Sequence, residues 1–489
     1  MNSKPTSNNL NGEHETLTTA DAFANLITDI PIPDPDDPDL LDPACDPKNP
    51  VRITYRDVAA AYYRIRKGII RTPCKKSSIS KSINMNLYLK LEFQQVSGSF
   101  KERGARNFLL HLPNEEATNG VVASSAGNHA QALAYHGKDL GIPVTVVMPT
   151  TAPMMKIENC IGYDANVILK GASMTESKPY AMKLSKLNNI PYVNGYDHPQ
   201  ILAGQGTIGL EILEQVPDVD AIVVPVGGGG LIAGIVAAVK EVNPRIKIIG
   251  VESDRCPGFT NSLKAGRMVF TQIHSTVADG LAVSQVGTNA LETCLGQVDQ
   301  MVCVDEAHIH RTILRLLEAE KCVVEGAGAT AMAALLAGLL PELEGKTVVP
   351  ILSGGNIDTT VLGRVIERGL AFEGRLCRFL VVVSDRPGGI AEMCCLLRDL
   401  GARFVKYAYK SLAPAIFLGA EAIEEQFSLT CRKTLHIKDI FHERAWMRSS
   451  IFSVQVKCVC ETRDSQHAAE VERALREKYK KVLWGPAAT

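Results

Sequence analysis

From about Val51 onward the chain alternates short apolar runs with stretches of helical spacing. Val121–Ser125 is a continuous apolar run ending in small hydroxylic residues, the signature of a buried strand, and a helix follows through Ala130–Leu140. The pattern repeats with Val144–Pro149 as a strand, a helix near Met154–Ile161, and Asn166–Leu169 as a strand. Ala221–Val226 and Ile246–Val251 bracket a helix over Leu231–Val242, and Val348–Leu352 is a late strand ending in Ser353-Gly354-Gly355-Asn356. Alternation of this kind predicts an α/β fold with parallel sheets covered on both faces. The texture shifts again at Phe372–Arg378. Phe379–Val383 reads as a strand, Asp385-Arg386-Pro387-Gly388-Gly389 as a turn, and Ile390–Leu400 as an amphipathic helix. Ala402–Tyr409 and Ser453–Val459 read as further strands and His467–Tyr479 as a helix, which makes a small α+β module; Lys410–His442 has mixed character and is not placed.

The first fifty residues differ. They hold eight prolines and ten acids against two bases, a charge of -8 in a chain whose total is -1. Proline lacks an amide donor and like charges repel, so residues 1–50 are expected to be a disordered acidic, proline-rich head that builds no core. The +7 left over divides into +2 for residues 51–376 and +5 for 377–489. Those bases are spread over helices and strands alike, so no nucleic-acid role is expected. The longest strongly apolar stretch, Ala329–Leu340, is about half of the roughly 20 residues a membrane span needs. No membrane association and no secretory leader are expected. Thirteen cysteines, an odd number without a C-x-x-C pair, read as reduced thiols of a cytosolic or organelle-matrix enzyme rather than a metal ribbon or disulfide framework, and a cytoplasmic location is expected.

Four loops at predicted strand ends carry candidate chemistry, where open α/β sheets bind ligands. In Ser97-Gly98-Ser99-Phe100-Lys101 an amine is held at the start of the helical run Glu102–Leu110, where its pKa would tend to fall. Ser124-Ser125-Ala126-Gly127-Asn128-His129 opens a helix and presents free amides suited to a carboxylate, although Ser125 or Asn128 could serve simply as its N-cap. His129 reads as a supporting residue rather than a base. Gly227-Gly228-Gly229-Gly230 can ring a phosphate with its amides, and no Gly-Lys-Ser/Thr follows to make it a Walker loop. Ser353 adds a hydroxyl. An amine, a carboxylate loop, a phosphate loop and a hydroxyl together fit pyridoxal 5'-phosphate.

With those motifs in place, residues from about Thr72 to Asp358 resemble the serine/threonine dehydratase family of fold-type II pyridoxal-phosphate enzymes, which includes serine racemases. The carrying motifs are Ser99-Phe100-Lys101-Glu102-Arg103-Gly104-Ala105, Ser125-Ala126-Gly127-Asn128-His129-Ala130, the tetraglycine, and Ser353-Gly354-Gly355-Asn356-Ile357-Asp358. The resemblance implies two open, twisted, parallel-sheet subdomains within residues 51–372 and a homo-oligomeric enzyme acting on a small amino acid. It implies that Lys101 is the Schiff-base lysine and the general base, with Phe100 packed beside it and Asn128 at the ring hydroxyl. Gly227, Gly228, Gly229 and Gly230 resemble the phosphate cup, and Ser353 the partner of the pyridine nitrogen. Ser125, Ala126, Gly127 and Asn128 resemble the substrate carboxylate site, with Glu325 lining the pocket. The implied reaction is dehydration and deamination of L-threonine or L-serine to a 2-oxo acid and ammonia. Racemases carry a serine immediately before Gly-Asn-His; here the position is Ala126, which has no proton to give. Glu252 matches one ligand of the racemases' divalent cation, but Gly258 replaces the second, so no metal site is assigned, Glu252 stays a weak candidate and metal dependence stays open. β-Replacement and a catalytically inactive binding protein are the remaining alternatives. Residues 377–489 resemble an ACT-like regulatory domain on the strength of the Asp385–Gly389 turn and the helix after it, which implies a small-molecule effector; a purely structural appendage is the competing reading.

Overall fold

The structure is a computed structural model and describes residues 26–34, 37, 40–402, 437–443 and 453–485. Two compact units result, one of residues 1–309 and 319–358, the other of 310–318 and 359–489. This division falls earlier than the expected boundary near residue 372, because Thr359–Phe372 forms a helix that contacts the strand Leu376–Ser384 after it.

The first unit contains two sheets. β1 (Cys74–Lys76), β2 (Asn86–Lys90), β6 (Ala221–Pro225), β7 (Lys247–Ser253), β8 (Gln300–Val304) and β9 (Thr347–Pro350) form a sheet in the order β1-β2-β9-β6-β7-β8. All of its pairs are parallel except the β1–β2 edge. β3 (Val121–Ser124), β4 (Val144–Met148) and β5 (Asn166–Leu169) form a smaller parallel sheet. Every residue of β4 and β6 is buried, as a parallel sheet covered on both faces requires. Ile222, Val224, Ile248 and Val349 pack with Ile232, Ile235 and Val239 of the helix Gly230–Val242, which is apolar on nearly every side and accordingly buried. A separate core under the small sheet joins Val121, Ala123, Val144 and Val146 to Ala130 and Leu133 of the helix Asn128–Leu140.

The expected alternation therefore holds, with ends shifted by a residue or two. β1, β2 and β8, absent from the sequence reading, complete the large sheet; β2 alternates buried and half-buried positions and ends in a charged residue that is nonetheless buried, Lys90.

The second unit is α+β, as expected. β10 (Leu376–Ser384), β11 (Ile437–Glu443), β12 (Ser453–Glu461) and β13 (Val482–Trp484) form an antiparallel sheet in the order β11-β12-β10-β13. β12 buries every second residue, and Val454, Val456 and Cys458 pack with Met393 and Leu397 of the helix Gly389–Asp399 and Val471 and Leu475 of the helix Ser465–Lys478. The strand expected over Ala402–Tyr409 lies outside the described residues from position 403 onward, as does 410–436 of the unplaced stretch.

The acidic head needs a correction. Residues 1–25 lie outside the described residues, but the later part of the head is docked on the first unit. Leu26 and Ile30 pack against a small cluster around Tyr180, whose hydroxyl donates to Thr28 O at 2.5 Å. Leu40 is buried, and Pro43–Cys45 forms a short 3-10 turn. Few apolar residues and backbone hydrogen bonds suffice to hold a segment whose mean composition disfavours a core.

Candidate active site

Lys101 is the first residue of the helix Lys101–Leu109, and Phe100 occupies the N-cap position. The preceding loop is fixed to the end of β9: Phe100 N donates to Ser353 O at 3.0 Å, and Ser99 bridges to Gly354. This places the lysine beside Ser353, which is 3% exposed. Lys101 Nζ lies 5.2 Å from the centre of the Phe100 ring and donates to Gly195 O at 2.6 Å. Burial lowers the Lys101 pKa to about 8, against the opposing pull of Glu325. An amine in that range is available as the neutral nucleophile and base near physiological pH.

The second loop leaves β3 and enters the helix Asn128–Leu140. Its N-cap is Gly127, with no side-chain cap, so the cap reading for Ser125 or Asn128 does not hold. The Ser125 hydroxyl instead accepts from Gly127 N at 3.3 Å. A Cβ on Gly127 would meet open space, so the helix's first amides remain accessible to a small anion. Asn128 Nδ2 donates to Glu325 Oε1 at 2.6 Å, and Asn356 Nδ2 donates to Asn128 Oδ1 at 2.8 Å, which fixes the direction of the Asn128 amide. Burial, with Asp279 nearby, raises the Glu325 carboxyl to about 7. His129 is packed under Gly195, with Nε2 3.2 Å from Val193 O. Burial, with Lys101 adding repulsion, lowers it to about 3, so its ring stays neutral and serves no acid–base step.

The third loop follows β6. Gly229 has φ +95°, the left-handed region, and a Cβ there would also overlap the Phe259 ring, so only glycine fits. Tyr196, next to the Gly195 whose carbonyl accepts the Lys101 hydrogen bond, lies against Gly228 and Gly230. The segment Val193–Tyr196 thus joins the lysine, the Asn128 helix and the tetraglycine. Sequence reasoning missed it, along with Asn356; the clustered Asn194-Gly195 turn signal was the available clue.

The residues present fit pyridoxal 5'-phosphate: a tetraglycine loop without side chains opens a thirteen-residue helix, and a half-buried amine and a buried hydroxyl lie beyond it. Glu252, the weak metal candidate, is otherwise employed. Its two oxygens accept from Phe259 N at 2.7 Å and Thr260 N at 2.9 Å, capping the helix Gly258–Ala265. Among the described residues no group of three or more His, Cys, Asp or Glu could hold a metal ion.

An α/β scaffold whose segment Val193–Tyr196 joins a helix-start lysine to a four-glycine loop points to a class, the pyridoxal-phosphate enzymes. Comparison with known proteins specifies it. The family model described as pyridoxal-phosphate dependent enzyme matches residues 65–354. An L-threonine ammonia-lyase from Thermotoga maritima is 38% identical over 427 residues, covering 87% of this chain and 98% of that protein. The processed form of threonine deaminase isoform 2 from Solanum lycopersicum superimposes with a TM-score of 0.61 at 35% identity, over 65% of this chain and 95% of that one. Maize serine racemase gives a TM-score of 0.61 at 33% identity, over 65% and 98%. The chain belongs to the pyridoxal-phosphate dependent enzyme family, on its serine/threonine dehydratase branch.

Proposed function

We propose that this protein is an L-threonine/L-serine ammonia-lyase, releasing 2-oxobutanoate or pyruvate together with ammonia. The observation that carries the reading is Lys101: a half-buried amine held near pKa 8 at a helix start, beside the buried Ser353 and joined through Gly195–Tyr196 to the tetraglycine.

Lys101, Ser353, Asn128 and the amides of Gly227–Gly230 would hold pyridoxal 5'-phosphate, with Phe100 packed beside the lysine. Bound there, the cofactor supplies an electron sink conjugated to the amino acid's Cα. Ser125, Ala126, Gly127 and Asn128 take the substrate carboxylate at the open helix start. The amine of Lys101 takes the Cα proton, and the substrate's β-hydroxyl takes up a proton and leaves as water; a water then hydrolyses the released enamine, through its imine tautomer, to the 2-oxo acid and ammonia. Ser353 is uncharged, so it stabilises a protonated pyridine less than a carboxylate would, and loss of the β-hydroxyl is favoured over reversible proton return. Glu325 keeps the Asn128 amide turned into the site.

Two observations favour elimination over the serine racemase alternative. Ala126 has no proton to deliver to the far face of Cα, and the Ser125 hydroxyl is turned back onto its own Gly127 amide. We further read the enzyme as cytoplasmic and homo-oligomeric, and residues 377–489 as an ACT-like module that takes a small effector; no described helix is long and apolar enough to cross a membrane.

The test incubates the protein with L-threonine and L-serine and measures 2-oxo acid and D-serine. Substantial D-serine with little pyruvate overturns the choice. Lys101→Ala is expected to abolish both turnover and the absorbance of lysine-bound cofactor; retention of either removes Lys101 from its role.

A further inference from the structure

Behind the tetraglycine lies a layer of buried polar groups that the reaction does not touch. The carbonyl of Gly228 accepts from Gly287 N at 2.9 Å. Gly287 leads into the helix Thr288–Cys294, and Asp197 takes that helix's first free amides: Thr288 N donates to Oδ2 at 2.9 Å and Ala290 N to Oδ1 at 3.0 Å. Tyr196, the neighbour of Asp197, is the residue packed on Gly228 and Gly230. Asn289, fully buried, closes the layer. Its Nδ2 donates to Asp197 O at 3.0 Å and to Ala44 O at 2.7 Å, and its Oδ1 accepts from Val51 N at 2.7 Å. Ala44 lies in the docked end of the acidic head, and Val51 immediately follows it. Ala44 is set by the Pro43–Cys45 turn, which Asp42 caps by accepting from Ala44 N at 3.0 Å.

We infer that Asn289 and Asp197 are positioning residues for the phosphate loop, and that the Asp42–Cys45 turn of the head is the outer clamp that holds them. This rests on the reading of Gly227–Gly230 as a phosphate cradle. A run of glycines has no side chains to anchor its own amides, so their direction depends on what the loop's carbonyls and flanks are bonded to. Here that support runs from Gly228 through Gly287 and Asp197 to Asn289. Without Ala44 O, one Asn289 N–H loses its protein partner and the layer loses its outer anchor, which leaves the layer free to shift. The larger effect belongs at the phosphate end of the ligand, since the lysine meets this segment only through Gly195 O.

The experiment compares the full chain, a chain beginning at Leu40, a chain beginning at Pro47, and full-length Asp42→Ala and Asn289→Ala. Each is stripped of cofactor and titrated with pyridoxal 5'-phosphate and with pyridoxal, which lacks the phosphate, following the absorbance of the lysine-bound form. The chain from Leu40 is expected to match the full chain. The chain from Pro47 and Asn289→Ala are expected to weaken pyridoxal 5'-phosphate by about tenfold while changing pyridoxal less than about twofold, with Asp42→Ala a smaller change in the same sense. Unchanged affinity in all three, or an equal loss of both ligands, overturns the proposal. Should the chain from Pro47 fail to fold, the two full-length substitutions decide. Inorganic phosphate gives an independent arm: it should raise the melting temperature of the stripped full chain more than that of Asn289→Ala. If the full chain shows no lysine-bound absorbance, the functional reading fails while the phosphate arm still tests the clamp, and equal phosphate shifts in the two proteins reject it.

Discussion

Arg103 lies two residues beyond Lys101 on the same helix, and residues so spaced point to opposite sides. Its guanidinium is fully buried, and all five N–H groups are used. Nε and Nη2 each donate to Glu92 at 2.8 Å. Nη1 and Nη2 donate to Glu211 at 2.7 and 2.9 Å, and Nη1 also reaches Thr207 Oγ1 at 3.1 Å. Lys90, buried too, donates to Glu211 at 2.5 Å and lies 3.9 Å from Glu92, so two cations balance two carboxylates. Burial alone would push the Glu92 carboxyl up; Arg103 and then Lys90 outweigh it and hold the pKa below the ordinary value. Arg103→Met removes the bidentate partner and leaves two buried carboxylates with one lysine, which costs about 3–5 kcal/mol. For a unit of this size that is a fall of roughly 4–7 °C in melting temperature. The sign with pH follows from the carboxylates. In the parent protein Glu92 contributes stability above its ordinary pKa, lost only as pH falls through the depressed one. In the variant its folded pKa rises instead, so the deficit is larger at pH 8 than at pH 5. Arg103→Lys keeps the charge but not the fork, and should lose an intermediate amount. Differential scanning calorimetry of the three proteins at both pH values checks this. A melting temperature unchanged within a degree, or a deficit independent of pH, would refute the view that the helix bearing Lys101 is anchored by this quartet.

Three further outcomes follow from the site. Glu325 is raised from 4.5 to about 7, so in the cofactor-free protein its ionisation costs stability as pH rises through that interval; Glu325→Gln should therefore gain up to ~3 kcal/mol at pH 8 and almost nothing at pH 4.5, read from melting curves. The rate at which the cofactor-free protein captures pyridoxal 5'-phosphate should rise with pH and level off above about 8, as Lys101 loses its proton; stopped-flow absorbance giving a flat profile from pH 6 to 9 would contradict it. Glu252→Ala should destabilise the protein by about 1–3 kcal/mol through two uncapped amides, and chelator treatment of the parent enzyme should leave turnover within about twofold; a rate lost to chelator and restored by a divalent cation would reject the purely capping role.

Strand–helix alternation was legible because parallel strands covered on both faces must be apolar throughout, and the runs at Val144–Pro149 and Ala221–Val226 leave little else to propose. The site was legible for a related reason: glycine, lysine and serine at strand ends are placed by the same periodicity that predicts the strands. Edges carried less signal. β1 and β8 have half-buried and exposed residues, so their apolar count never separates them from loops. Contacts between side chains distant in sequence carried none. Nothing in Leu89-Lys90-Leu91-Glu92 or in Glu211 announces a buried quartet with Arg103, because charge is ordinarily a mark of exposure and only the partner reverses it.

The acidic head shows the same limit in composition itself. Eight prolines and a charge of -8 describe an average, and the average does oppose a core. Docking, however, needs only a few groups that face inward. The head supplies Leu40 and one carbonyl at Ala44, the amide of Val51 follows directly after it, and Asp46 turns back on Lys48 N and Asn49 Nδ2 and stays at the surface. The local signal for this was present. Asp42-Pro43 is an aspartate N-cap followed by a proline at the first helical position, a helix-start pattern that does not depend on net charge. Proline there costs no hydrogen bond, since the amide it lacks would have been free, and it fixes the φ the turn requires. The residues that argued for disorder in bulk are, at these two positions, the ones that build the turn presenting Ala44 O to Asn289.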